Sequence, residues 1–500
     1  MPDSSYLQVA HPGQPFSSAF RWRAVTRLFG ILLLLFSPSF IPSIGVSLYY
    51  DDGEWGVFCA TLAINMAAGM LLWWPNRNVN SDMKMRDGFL VVTLFWIILP
   101  LASALPFILG LHLGLVDALF ESVSGFTTTG ATTIIGIDNL PKSILYHRQQ
   151  IQFLGGMGVI VLAVAVLPLL GIGGMQLYRA EVSGVSKEDK LTPRIAHTAR
   201  ALWMIYFFLT LCCAAAYWAA GMSLFDAIGH AYATVATGGF STHDASMAFF
   251  DNEVIEFISI VFMMAGGMNF ALHFLAWKNL SPKPYENDPE FRAYVFIFLA
   301  ITIIIALSLY VTGAFQGLGQ SLRYSAFQTA SILTSTGFTT ANFAVWPLHI
   351  PMLLVIAAFI GGCVGSTAGG IKVLRIVLLG KLGLRQLRLS LHPRGVFPMR
   401  LGKEIVSTEI LFSVLGFGVL YVTISILLTT ALMGAGLDLE TAFGAVMATI
   451  NLCGPGLGGV AVTFAGTSAL VKCLGIFSML VGRLEIFTLL ILFLPRYWRD

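Results

Sequence analysis

The stretch Ser124-Gly125-Phe126-Thr127-Thr128-Thr129-Gly130-Ala131-Thr132 returns in altered form three times along the chain. The later copies are Ala236-Thr237-Gly238-Gly239-Phe240-Ser241, Thr334-Ser335-Thr336-Gly337-Phe338-Thr339-Thr340 and Asn451-Leu452-Cys453-Gly454-Pro455-Gly456-Leu457-Gly458. Each is preceded by about ten mostly apolar residues, enough for three helical turns but too few to cross a bilayer. These short segments open at Asp117, Asp226, Ser325 and Thr441, each followed by Ala. Asp, Ser and Thr are N-cap residue types, so these four positions are expected to start the helices. The glycines taken as equivalent are Gly130, Gly238, Gly337 and Gly454. A fourfold recurrence of this kind indicates an internal repeat.

The flanking sequence is that of a membrane protein. Hydrophobic residues make up 56% of the 500 residues, charged residues 11%, and the mean hydropathy is +0.79. A typical soluble domain carries roughly 25% charged residues. Ten apolar stretches are long enough to span, near 27–49, 55–74, 88–111, 150–174, 200–221, 254–277, 292–314, 350–379, 405–433 and 468–495. The runs do not alternate, so helices rather than barrel strands are expected. The fold class is therefore an all-α polytopic membrane protein: two extra N-terminal helices, then four repeats of helix, short helix, loop and helix around a central pore.

Most of the 29 lysines and arginines fall on one side of this layout. They occupy the N-terminal segment (Arg21, Arg23, Arg27), the second, fourth, sixth and eighth connections, and the C-terminus. The 380–404 loop alone carries Lys381, Arg385, Arg388, Arg394, Arg400 and Lys403. The positive-inside rule makes that side cytoplasmic, with both termini on it. The four short segments then lie on the opposite side. The expected organisation is 1–26 cytoplasmic N-terminus, 27–87 two extra helices, 88–174 first repeat, 175–199 cytoplasmic loop, 200–277 second repeat, 278–379 third repeat, 380–404 basic loop and 405–500 fourth repeat with the C-terminus.

Several function classes fall away. The net charge of +3 is scattered, so a nucleic-acid partner is not expected. The six cysteines form no metal-ligand pattern and read as small apolar side chains. No HExxH or GxSxG motif is present, and an enzyme is not expected. A short helix that stops partway through a membrane points the negative end of its dipole at the bilayer centre. Irregular backbone at that depth is tolerated where it lines a cavity or is buried in protein. Four such loops around one axis present rings of carbonyl oxygens, which replace the hydration shell of an alkali cation.

These four loops, with Gly155-Gly156-Met157-Gly158, Gly171-Ile172-Gly173-Gly174-Met175-Gln176-Leu177 and Gly482-Arg483-Leu484-Glu485-Ile486-Phe487, resemble the Trk/Ktr/HKT potassium transporter superfamily. Within it the resemblance is closest to the TrkH-like membrane subunit of bacterial Trk systems, and it covers residues 27–499. It implies potassium as the transported ion, with no organic cofactor. It implies a selectivity filter at Thr129, Gly130, Thr237, Gly238, Thr336, Gly337, Cys453 and Gly454. The fourth loop departs most, with Leu452-Cys453 before its glycine and Pro455 after it. The resemblance further implies a homodimer in the bacterial inner membrane, contacting membrane lipid. It also implies a cytoplasmic ring of TrkA-like nucleotide-binding regulatory subunits, for which the 380–404 loop is a candidate docking surface.

Two more features belong to the expected gate. Gly361 to Gly370 interrupts an apolar span with five glycines, and Gly costs up to about 1 kcal/mol against Ala inside a helix. A break is expected there, and the resemblance implies a flexible intramembrane loop that includes Gly365, Ser366, Thr367, Gly369 and Gly370. Arg483 lies in the last span among apolar residues, where a charge faces a cavity or a partner. It is expected to face the pore beside the glycine-rich loop as a barrier to cations, with Glu485 pointing elsewhere. His230 is expected to be a packing histidine. The alternative function is an ion-coupled potassium symporter driven by protons or sodium, disfavoured by the few carboxylates within the spans.

Overall fold

The computed structural model describes residues 22–79, 85–165, 191–347, 349–402 and 404–499. Arg21, Lys84, Lys403 and most of the fourth connection, with Gly171–Leu177, Arg179, Lys187 and Lys190, lie outside the described residues. The fold is almost entirely helical. Two helices, α1 (Trp22–Phe36) and α2 (Ile41–Tyr50), are joined by one 3₁₀ turn and run beside α3 (Trp55–Trp73). A Cβ on Gly30 would lie 2.5 Å from the Trp73 amide nitrogen. Small residues thus let two helix backbones meet, as in other membrane helix pairs.

The remaining helices are α4 (Met85–Ser103), α5 (Leu105–Leu109), α6 (Leu115–Phe126), α7 (Lys142–Ala165), α8 (Leu191–Ala219), α9 (Leu224–Val235), α10 (Glu253–Gly266), α11 (Phe270–Asn279), α12 (Lys283–Asn287), α13 (Pro289–Val311), α14 (Leu318–Leu333), α15 (His349–Ile360), α16 (Val373–Leu391), α17 (Thr408–Gly434), α18 (Leu439–Ile450), α19 (Ala469–Arg483), α20 (Phe487–Leu490) and α21 (Pro495–Arg499). A two-stranded hairpin, Arg400–Leu401 with Glu404–Ile405, precedes α17. Among the described residues six helices are long and apolar enough to cross a membrane, or eight if each of two bent pairs is one span.

Those two bent pairs correct the expectation of uninterrupted spans at 254–277 and 468–495. Helices α10 and α11 meet at 96°, and α19 meets the Phe487–Phe493 segment at 109°. The first bend follows Gly266-Gly267 and restarts where the Asn269 side chain accepts a hydrogen bond from the Ala271 amide at 2.9 Å. The second contains Glu485 and Ile486 at positive φ. The break expected within 350–379 is present between α15 and α16.

The short helices α6, α9, α14 and α18 are the four segments singled out by the repeat. Their caps lie earlier than expected. The cap positions are Gly114, Ser223, Gly317 and Asp438. Asp117, Asp226 and Thr441 stand three residues inside, and Ser325 lies further along a 16-residue helix. An acidic residue is favoured in a first turn as well as at a cap, because both face the positive end of the dipole. Ser223 and Asp226 make a reciprocal cap: the Asp226 amide donates to Ser223 Oγ at 3.1 Å, and that hydroxyl donates to Asp226 Oδ2 at 2.7 Å. All four helices sit inside the bundle and bury most of their surface against the longer helices. Of the cysteines, Cys59 and Cys473 are exposed on the bundle's outer face rather than packed within it.

Candidate functional site

Each short helix ends in the same backbone pattern. One amide bonds back five residues at each end: Thr129 to Ser124 O, Gly238 to Ala233 O, and Thr336 to Ser331 O at 2.8 Å, and Cys453 to Ala448 O at 2.9 Å. The residue before it takes positive φ in every loop: Thr128, Thr237, Ser335 and Leu452, at 51–57°. The residue after it is a glycine at positive φ: Gly130, Gly239, Gly337 and Gly454, at 75–87°. In the second loop the structural equivalent of Gly130 is therefore Gly239, not Gly238. Gly238 instead stands in the place of Thr129, Thr336 and Cys453, and Thr237 in that of Thr128. The sequence offers two adjacent glycines there, and only the backbone distinguishes them.

These four glycines close a ring. A Cβ on Gly130 would lie 2.2 Å from the carbonyl oxygen of Gly238. One on Gly239 would lie 1.9 Å from that of Thr336, and one on Gly337 would lie 2.0 Å from that of Cys453. On Gly454 it would lie 2.8 Å from that of Thr129, which returns to the first loop. Each glycine is thus pressed against the carbonyl that precedes the glycine of the next loop. Positive φ and backbone contact together leave no room for an L side chain. Gly130, Gly239, Gly337 and Gly454 all line one cavity of about 300 Å³.

The four loops are braced differently. In the first, Glu121 is fully buried and pairs with Arg148 at 2.7 Å. It also accepts from Thr132 Oγ1 and the Thr133 amide, and Arg148 donates to Ser241 O of the second loop at 3.2 Å. The Arg148 guanidinium stacks 4.2 Å from the Phe240 ring. In the third, Ser331 Oγ donates to Phe338 O at 2.6 Å. In the fourth, Tyr421 donates to Asn451 Oδ1. Buried His230 bonds Asp226 O and Ser241 Oγ, each at 2.9 Å, which satisfies both ring nitrogens. On the outer loops His243 Nδ1 contacts Asp138 Oδ1 at 2.6 Å, tying the first loop to the second. Burial alone would lower the pKa of His243, but hydrogen bonds and charges from Asp226 and Asp138 prevail and raise it.

Residues 361–372 form a compact loop against the inner ends of the second, third and fourth short helices. Its amides at Cys363 and Thr367 donate to Gly267 O and Gly266 O, at 2.8 and 3.3 Å, and the Phe270 amide donates to Gly365 O at 3.1 Å. Backbone groups freed by the bend between α10 and α11 are thereby paired with those freed by the break between α15 and α16. Thr237 Oγ1 donates to Thr367 Oγ1 at 3.0 Å, and the Gly369 amide donates to Ser335 Oγ at 2.6 Å. A Cβ on Gly369 would lie 2.1 Å from Asn451 O. Ser366 Oγ donates to Cys363 O, and Gly370 packs on Gly361. Buried Glu290 accepts from the Val364 and Leu374 amides at 2.8 and 3.1 Å.

Arg483 reaches this loop, donating from Nη1 to Thr367 O at 2.9 Å. Its Nε and Nη2 are buried with no hydrogen-bond partner among the described residues, and the guanidinium lies 5.2 Å from the Trp96 ring. Glu485 turns away and pairs with Arg375. Sequence reasoning missed Arg148, Glu290 and Gln152, which act through contacts distant in sequence, and the local cap at Asn269.

The arrangement defines a class: a multi-pass helical membrane protein whose short helices deliver four backbone loops to one opening, with a fifth loop beneath three of them. The chain belongs to the TrkH family of cation transport proteins, whose family model matches residues 56–499. It is 48% identical to the Trk system potassium uptake protein TrkH of Salmonella typhimurium, over 96% of this chain and 100% of that protein. It is 40% identical to the Trk system potassium uptake protein TrkG of Escherichia coli, over 96% of this chain and 99% of that one. Its fold is similar to the crystal structure of the potassium transporter TrkH from Vibrio parahaemolyticus. That match has a TM-score of 0.90 and 46% identity, over 96% of this chain and 100% of the other. This is a family of transporters, not of enzymes.

Proposed function

We propose that this chain carries potassium into a bacterial cell through a channel-like pore. The relatives that are named for potassium uptake match it over nearly their whole length. The observation that carries the pore reading is the closed ring of glycine-on-carbonyl contacts. It sets main-chain oxygen around one opening, the ligand type that suits a dehydrated alkali cation. The filter then comprises Thr129-Gly130, Gly238-Gly239 with Thr237 beneath them, Thr336-Gly337 and Cys453-Gly454.

The loop at Gly361–Lys372, with Gly365, Ser366, Thr367, Gly369 and Gly370, is the gate in this reading. Arg483 is its electrostatic part: a buried guanidinium beside the loop, with two donors that find no hydrogen-bond partner among the described residues, opposes a cation passing inward. Passive flux is the favoured mechanism over ion-coupled symport. Glu121, Glu256 and Glu485 are each held by an arginine, an arrangement that suits bracing better than proton relay. The basic 380–404 loop, in an inner-membrane protein with cytoplasmic termini, suits docking of a nucleotide-binding regulatory ring. A homodimer with one pore per protomer completes the reading.

The test is growth of a potassium-uptake-deficient bacterium on limiting potassium. The native chain restores growth, whereas Gly130→Asp and Gly337→Asp do not, although both reach the membrane. Native flux that fails to reverse at the potassium equilibrium potential would refute the channel mechanism.

A further inference from the structure

One place in the ring is built from two parts of the chain. At the position before the ring glycine, the first and third loops carry threonine. Thr129 Oγ1 bonds Thr127 Oγ1, and Thr336 Oγ1 bonds Thr334 Oγ1, each at 2.7 Å. These hydroxyl pairs tie the loop to the last turn of its own helix. The second loop has neither hydroxyl, because Ala236 and Gly238 occupy the two places. Yet Gly238 does not have positive φ, so its backbone would accept an L side chain. What excludes one is a neighbour. The three atoms nearest a Cβ there, at 2.5–2.8 Å, are the Cδ, Oε1 and Nε2 of Gln152.

Gln152 comes from α7 and is fully buried. Its Nε2 donates to the Gly238 carbonyl oxygen, and its Oε1 accepts from the Phe240 amide at 3.0 Å. One carboxamide thus grips the loop on both sides of Gly239. It also sets the direction of the Gly238 carbonyl, the one against which Gly130 packs. A primary amide is the side chain that offers one donor and one acceptor from a single planar group, which suits this pair of backbone partners.

We propose that Gln152 is a positioning residue for ion discrimination, a side chain supplied in trans that replaces the missing threonine of the second loop. Gly238 is glycine to admit it. This rests on the pore reading above. It assigns the second loop a support that a change in α7, outside the four loop motifs, removes.

The test measures potassium and sodium uptake by the full chain in a bacterium lacking its own potassium uptake systems. The readout is the ratio of the two rates, which does not depend on how much protein reaches the membrane. Gln152→Ala loses both hydrogen bonds, and Gln152→Glu keeps the acceptor while losing the donor. Each is expected to lower the potassium-to-sodium ratio roughly fivefold, the scale of one or two net hydrogen bonds. Gly238→Thr alone places its side chain on the carboxamide and is expected to abolish uptake. Gln152→Ala combined with Ala236→Thr and Gly238→Thr, which supplies both hydroxyls of the pair, is expected to restore uptake and at least half of the lost discrimination. An unchanged ratio in Gln152→Ala and Gln152→Glu overturns the proposal. So does a triple variant no better than Gly238→Thr, which is the deciding comparison if Gln152→Ala alone carries no flux. Failure of the native chain to take up potassium would instead overturn the pore reading itself.

Discussion

The four loops that follow the short helices and the loop at Gly361–Lys372 are both rich in glycine, yet they are held in different ways. Each of the four hangs from its own helix by the same five-residue backbone bond, and each glycine is wedged against the carbonyl of the next loop. The ring therefore has local support at every member and no free direction in which one member can move alone. The fifth loop depends on its neighbours. It is tied to Gly266 and Gly267 at one bend, and to Thr237, Ser335, Glu290 and Arg483 on four other parts of the fold. Composition alone would place the two regions in one category. Their hydrogen-bond partners separate a ring held by its own helices from a segment held by the elements around it.

The contrast breaks first at the ring. Gly239→Ala is expected to abolish potassium uptake, whereas Gly238→Ala retains part of it. At Gly239 an L residue carries about 1–2 kcal/mol of left-handed strain, and its Cβ meets the backbone oxygen of Thr336 at 1.9 Å. At Gly238 it meets the Gln152 carboxamide at 2.5–2.8 Å, a side-chain end that can give way to a methyl at some cost to its two bonds but not to a threonine. Uptake rates of the two variants at matched membrane abundance decide this, and equal loss would return Gly238 to the ring position.

Bracing comes next. Arg148→Leu leaves the Glu121 carboxylate buried beside the ring without its cation, a loss of about 3–5 kcal/mol. A marked drop in thermal unfolding temperature in detergent is expected, larger than for Lys472→Met, whose partner Asp117 is about a third exposed. Unfolding midpoints for the two variants give the ranking directly.

The smallest effect belongs to the fifth loop. Thr367→Val removes the hydroxyl shared among Thr237, Val235 and Gly266, worth about 1 kcal/mol. If the loop is a gate, rubidium flux rises a few-fold while the potassium-to-sodium ratio stays constant. A changed ratio with constant flux would assign the loop to the ring instead.

Much of this was legible because it is local. The short segments, their position between spans and the break at Gly361 follow from apolar run length and glycine content. Three of the four caps lie three residues earlier than expected, since Asp117 and Asp226 suit a first turn as well as a cap, and the third helix starts earlier still. The pairing of Arg483 with Thr367 agrees with a charge that seeks a partner at depth, but the two bends beside that contact were not visible. The first bend is stabilised by backbone groups more than 80 residues away in sequence, as Gly267 with Cys363 shows.

What the sequence determined by itself was the membrane class, the fourfold recurrence and the family, because run length, charge bias and motif identity are properties of consecutive residues. Tertiary structure alone decided which of two adjacent glycines joins the ring, and that a glutamine from a long helix fills the space beside the other. A backbone angle and a contact across 86 residues settle those points. Neither leaves a mark in the residues on either side.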